Sequence, residues 1–142
     1  MTRTLILSDI HGNKDALDAV VADAGHAERI WCLGDIVGYG PEPGACVAWV
    51  RAHCDIVLSG NHDYAAFDPS VVRDFNPNAA LAAEWTRDQL TDEQVAYLQS
   101  LPSLVEADGV STISFTGSTS VGRHIAGRCG HLMKRVSCEL GG

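Results

Sequence analysis

Three short runs of consecutive apolar residues, Leu5-Ile6-Leu7, Ile30-Trp31-Cys32-Leu33 and Ile56-Val57-Leu58, punctuate the first part of the chain. Runs this short and continuous belong to strands buried on both faces, where no polar alternation survives. Between them the period changes. After Asn13, a capping residue, Leu17, Val20, Val21 and Ala24 recur at i, i+3, i+4 and i+7 before Gly25, and this predicts a helix. A Gly/Pro-rich loop from Gly38 to Gly44 follows the second strand, and Cys46, Val47 and Val50 then mark another helical face. Strands alternating with helices predict βαβ units and a parallel sheet, with sites beyond the carboxyl ends of the strands.

Further along, Asn76-Pro77 reads as an N-cap followed by proline at the first helical position, opening a helix with Leu81, Trp85 and Leu90. Trp85 is expected in the core. Thr91-Asp92-Glu93-Gln94 matches a capping box for another helix that ends near Leu101-Pro102. Residues 104–107 and 110–115 are expected to pair as a hairpin about Asp108-Gly109. From Ser111 the pattern dissolves: Gly117, Gly122, Gly127 and Gly130 interrupt any period, and apart from that hairpin strand no element is assigned to 111–142.

Charge sharpens this boundary. Residues 1–110 carry 6 Lys/Arg against 17 Asp/Glu, a balance of 6 − 17 = −11, whereas residues 111–142 carry 4 against 1, a balance of +3. An acidic body of this kind excludes a general nucleic-acid groove, and captures phosphates only if bound cations reverse the local field. Length sets one domain, and 46% hydrophobic residues suffice for its core. The five cysteines are odd in number and form no Cys-x-x-Cys pair, so they read as small buried or idle thiols. The N-terminal apolar run is too short for a signal segment or a membrane span, and the expected location is the cytoplasm.

The chemistry lies where the apolar runs stop. Asp9, Asp35 and Asn61 each follow a strand by one or two small residues, and they are evenly spaced, since 35 − 9 = 26 and 61 − 35 = 26. A single such residue is most often a helix cap. Three in phase, two of them accompanied by His11 and His62, bring oxygen and nitrogen ligands to one sheet edge. Such a mixed set suits Mn, Fe, Zn or Co better than calcium. A central carboxylate can bridge two ions about 3.5–4 Å apart, the clamp used in phosphoryl transfer. His62 then stands where it can protonate a leaving oxygen. Tyr39 either faces substrate or packs on its own turn, and Asp63 either orients His62 or caps the segment after it.

Asp9-x-His11, then Gly34-Asp35-Ile36-Val37-Gly38-Tyr39-Gly40-Pro41, then Gly60-Asn61-His62-Asp63 resemble the calcineurin-like metallophosphoesterase superfamily, in the branch whose second motif ends in Gly-Tyr-Gly-Pro. The resemblance covers residues 1–110, taken as the N-terminal part of that fold. It implies an α/β/β/α sandwich and a dinuclear site for two divalent transition-metal ions (Mn, Fe, Zn, Co or Ni). Asp9 and His11 would hold the first ion, Asp35 would bridge, Asn61 would hold the second, and His62 would be the acid. Protein phosphatases of the superfamily carry an Asp-Arg pair where this chain has Gly38-Tyr39. A phosphodiester or a small phosphorylated molecule is therefore the expected substrate.

The departures are equally informative. The superfamily continues with a His-Gly-Ser-Pro-like motif and later a Gly-His-x-His motif, which together donate three histidines. Here the corresponding stretches read Thr116-Gly117-Ser118-Thr119 and Gly130-His131-Leu132-Met133. His124 and His131 are weak stand-ins. The second metal site is therefore expected to be incomplete, as is the second sheet, leaving an apolar sheet face through which copies would associate. Truncation or a frame change near residue 111 would account for the lost motifs and the charge switch. Metal-dependent phosphoester hydrolysis is the leading reading, and the alternative is an inactive metal- or phosphate-binding fragment. A Rossmann-like domain is disfavoured because no Gly-x-Gly-x-x-Gly follows the first strand.

Overall fold

The structure is a computed structural model that describes residues 2–103, 105 and 110–141. Its chain divides into two compact units, Met1–Val105 and Glu106–Gly142.

In unit 1 the apolar runs form β1 (Thr4–Leu7), β2 (Arg29–Cys32) and β3 (Ile56–Val57), parallel and in the order β1-β2-β3. Helices α1 (Lys14–Ala24) and α2 (Pro43–His53) make the crossovers. Asn13 caps α1 by accepting the Ala16 amide at 3.0 Å. The expected face of α2 is fully realised, with Cys46, Val47 and Val50 buried. They pack with Leu7, Leu17, Cys32, Ile36, Val37 and Leu98 in one cluster, joined by Leu5, Ile30 and Val57 from the strands.

That cluster lies on one side of the sheet. The alternate row, Ile6, Trp31 and Ile56, is in register across the strands and outside the cluster. Ile6 is 53% exposed, so among the described residues of unit 1 the strands that read as covered on both faces have helices packed on one.

Beyond β3 come α3 (Asn61–Ala65), a short 3-10 turn (Val71–Asp74), α4 (Pro77–Gln89) and α5 (Asp92–Ser100). Asn76 accepts the Ala79 amide with Pro77 at the first helical position. Thr91 and Gln94 exchange the two bonds of a capping box. Packing of α4 departs from expectation. Its buried face is Ala79, Ala83 and Thr86, while Leu81 is 66% and Trp85 42% exposed. The small residues let α4 approach closely, which turns the larger apolar side chains outward.

Unit 2, for which the sequence pattern names only the strand at 110–115, contains β4 (Thr112–Ser118), α6 (Thr119–His131) and β5 (Arg135–Gly141). The two strands pair in parallel from Thr112↔Arg135 to Ser118↔Gly141. The face of α6 is carried by Gly122 and Cys129, both buried, with Ile125 and Ala126 half-buried between them, a helical i, i+3, i+4, i+7 series of mainly small residues. Such a face has little apolar weight, so the glycines obscure its period. The expected hairpin turn at Asp108-Gly109, with residues 104, 106 and 107 of its first strand, lies outside the described residues. The strand after it, β4, is paired with β5. Among the described residues no helix is long and apolar enough to cross a membrane.

Candidate metal centre

The three parallel strands of unit 1 end at the same edge, and the chain leaves each in a tight, polar turn. Neighbouring turns are tied by backbone bonds: His11 N–H to Asp35 O at 2.9 Å, Gly12 N–H to Ile36 O at 2.9 Å and Gly40 N–H to His11 O at 2.7 Å. The equal spacing thus becomes an equal position, each turn starting one strand further along the sheet.

The turns hold unusual backbone conformations. Asp9, His11 and Asp35 sit at φ 55°, 51° and 53° in the left-handed region. Each such residue costs of order 1–3 kcal/mol and persists only when its surroundings over-determine it, a condition that clusters at functional sites. The side chains converge. One ligand atom from each of Asp9, His11 and Asp35 lies within 4.8 Å of the others, the one such group among the described residues.

The imidazole of His11 is oriented for binding. Its Nδ1 lies 3.2 Å from the Val37 carbonyl, which can only accept, so Nδ1 carries the proton. That leaves the Nε2 lone pair free, 3.8 Å from Asp9 Oδ1. Ser8 Oγ donates to Asp9 Oδ2 at 2.5 Å, and the His62 amide donates to Asp35 Oδ1 at 2.9 Å. Two carboxylates and an imidazole with its tautomer fixed form a donor set that fits a divalent transition metal. Asn61, the first residue of α3, is exposed at the end of β3, one residue before the His62 amide that bonds Asp35.

His62 is 8% exposed and packed by rings: His11 at 4.8 Å, Tyr39 at 4.6 Å and Phe75 at 4.6 Å. Burial pushes its pKa down, opposed by the Asp35 carboxylate. Its Nδ1 is buried without a hydrogen-bond partner among the described residues. Gly38 makes the room, since a Cβ there would lie 2.5 Å from that nitrogen.

Asp63 does more than the local pattern indicates. Fully buried, it accepts the amides of Ile36 at 2.9 Å and Val37 at 3.1 Å through Oδ1, and of Gly60 at 2.9 Å through Oδ2. One carboxylate thereby joins the turn that carries Asp35 to the turn that carries Asn61 and His62. Burial pushes its pKa up to about 6 against the pull of those three amides. The Gly60 amide is a local capping partner three residues upstream, but the Ile36 and Val37 donors lie 27 and 26 residues upstream, and no local signal in the sequence discloses those two. Phe75 was likewise invisible, being a lone aromatic between elements. His124 and His131, the weak stand-ins, are exposed residues of α6 in unit 2 and are not members of the ligand group.

The calcineurin-like phosphoesterase profile matches residues 2–127. An uncharacterised protein of Methanocaldococcus jannaschii is 40% identical over 103 residues, 71% of this chain and 42% of that protein. A symmetrical bis(5'-nucleosyl)-tetraphosphatase of Chromohalobacter salexigens is 30% identical over 113 residues, 75% of this chain and 40% of that one. Among solved structures, a metallophosphoesterase of Sphaerobacter thermophilus is similar with a TM-score of 0.65 and 43% identity, covering 87% of this chain and 49% of that one. The chain therefore spans less than half the length of these relatives. A different likeness is short: benzaldehyde dehydrogenase [NAD(+)] of Pseudomonas putida is 55% identical over 40 residues, 28% of this chain and 8% of that enzyme.

Proposed function

The chain belongs to the calcineurin-like phosphoesterase family, and from that premise we propose that it hydrolyses a phosphodiester or a small phosphorylated molecule at a metal centre in unit 1. The observation that carries this reading is the convergence of Asp9, His11 and Asp35 at adjacent strand ends. Asp9 and His11 would hold one ion, Asp35 would be shared with a second, and Asn61 would be a ligand of that second ion. The mixed donors favour Mn, Fe, Zn, Co or Ni. A bound ion of this kind supplies Lewis-acid polarisation of the phosphate and a nucleophilic hydroxide at neutral pH.

The chain's own groups do the rest. Asp63 and the backbone bonds between turns keep the carboxylates in place, and the Val37 carbonyl keeps His11 in its ligating tautomer. Buried against three rings, His62 gives its proton to the leaving oxygen. Gly38-Tyr39 stands where protein phosphatases have Asp-Arg, and the tetraphosphatase relative acts by name on a dinucleoside polyphosphate; both favour a nucleotide-like phosphoester. The five cysteines are free, which suits a reducing compartment such as the cytoplasm. The test is hydrolysis of bis(p-nitrophenyl) phosphate by the full chain in manganese. Turnover that falls about 10²–10⁴-fold in His62→Ala supports the enzyme. No turnover in the wild type favours the alternative, a metal-binding module without catalysis.

A second reading concerns unit 2. Its parallel strand-helix-strand has the form of one unit of a dinucleotide-binding fold, its length is close to that of the dehydrogenase likeness, and the family match stops inside α6. We infer that unit 2 is a dehydrogenase-like segment joined to the first half of a phosphoesterase and supplies no metal ligand. This accounts for the missing histidine motifs. Manganese binding should be unchanged in His124→Ala/His131→Ala; loss of an ion in that variant would reject the reading.

A further inference from the structure

Among the described residues five non-glycine positions have positive φ, and four of them lie in the candidate centre: Asp9, His11, Asp35 and Tyr39, the last at 56°. Asp and His tolerate that region better than most residues, whereas a bulky aromatic there is a genuine outlier. Three of the four are the ligand group. Tyr39 has no ligating role, so its strain calls for another explanation.

The backbone on either side leaves Tyr39 little freedom. Gly40 N–H donates to His11 O, tying the loop to the first ligand turn, and Gly38 lies against the His62 ring. The tyrosine ring is consequently held edge-on to His11, centroids 5.0 Å apart, and tilted at 44° to His62, centroids 4.6 Å apart. Even so it is 52% exposed. A side chain needed only to pack the two imidazoles would gain most by being covered, as His62 is. Here an aromatic surface is fixed beside a ligand and the proposed acid, with half of its area open to solvent.

We infer that Tyr39 is a specificity residue that stacks on an aromatic group of the substrate, the base of a nucleoside phosphoester, next to the phosphate bound at the metal centre. This rests on the phosphoester reading of that centre. Stacking is sequence-tolerant because every base has a π-face, and it requires a ring positioned in advance. Phenylalanine keeps that function; leucine keeps bulk and loses it.

The test is calorimetric titration of the manganese-loaded full chain, and of its Tyr39→Phe and Tyr39→Leu variants, with adenosine 5'-monophosphate and with inorganic phosphate. Expected is a loss of about tenfold or more in nucleotide affinity for Tyr39→Leu, an unchanged phosphate affinity, and wild-type behaviour for Tyr39→Phe. Equal weakening of both ligands would make Tyr39 a packing residue and overturn the inference. So would a wild type that binds the nucleotide no better than phosphate. Because the titration reads binding alone, a chain that turns over no phosphoester defeats the functional proposal while this comparison still decides the role of Tyr39.

Discussion

Replacing Asp63 with alanine should damage unit 1 more than any surface change, and the structure gives the size of the effect. Three backbone amides, those of Ile36, Val37 and Gly60, lose their acceptor at once. A buried donor left unsatisfied costs about 1–3 kcal/mol. Gly60 is only partly buried and will recover some of this through water, so the sum is about 3–6 kcal/mol. That is a large share of the 5–15 kcal/mol typical of a folded domain. Asparagine should cost less, about 1–3 kcal/mol, because its Oδ1 still accepts from Ile36 and Val37 and only the Gly60 amide meets a donor. Urea unfolding followed by tryptophan fluorescence measures this cleanly, since Trp31, Trp49 and Trp85 all lie in unit 1. An alanine variant within about 1 kcal/mol of wild type would refute the clamp, because that is no more than one ordinary hydrogen bond.

The same carboxylate makes stability depend on pH. With its pKa raised by burial from 3.8 to about 6, the folded chain holds this proton more tightly than the unfolded chain, so the contribution is complete below pH 4 and is lost as pH rises to 6. The loss is about 3 kcal/mol and should vanish from Asp63→Asn; equal pH slopes in wild type and variant would contradict it. Gly38→Ala combines a φ of 99° with a Cβ 2.5 Å from His62 Nδ1, and should cost about 1–3 kcal/mol and displace the imidazole, read as lost phosphoester turnover. Burial pushes the thiols of Cys32 and Cys46 up to about 11, so mass spectrometry after iodoacetamide at pH 8 should find both unmodified in the folded chain.

Much of unit 1 was legible because its signals are local. Asn13, Asn76 and the Thr91-Gln94 box each specify a helix start within four residues, and the continuous runs at Leu5, Ile30 and Ile56 specify strands without reference to anything distant. The even spacing of Asp9, Asp35 and Asn61 is a longer-range signal, since a parallel sheet converts a sequence interval into a shared edge. What escaped depends on distant partners. Two of the three bonds of Asp63 come from a turn more than twenty residues away, and Trp85 lies outside the core because small residues on α4 set the helix orientation. In unit 2 the buried face of α6 is written mainly in Gly, Ala and Cys, which carry almost no hydrophobic periodicity.

The metal centre proposed at Asp9, His11 and Asp35 is open to direct measurement. Manganese titration of the full chain by isothermal calorimetry, set beside Asp35→Asn with its fold checked by circular dichroism, tests it most directly. At least one ion should bind the wild type, and binding should be lost or strongly weakened in the folded variant. A wild type that binds no ion, or a variant that binds it equally well, would rule out a metal centre at these residues.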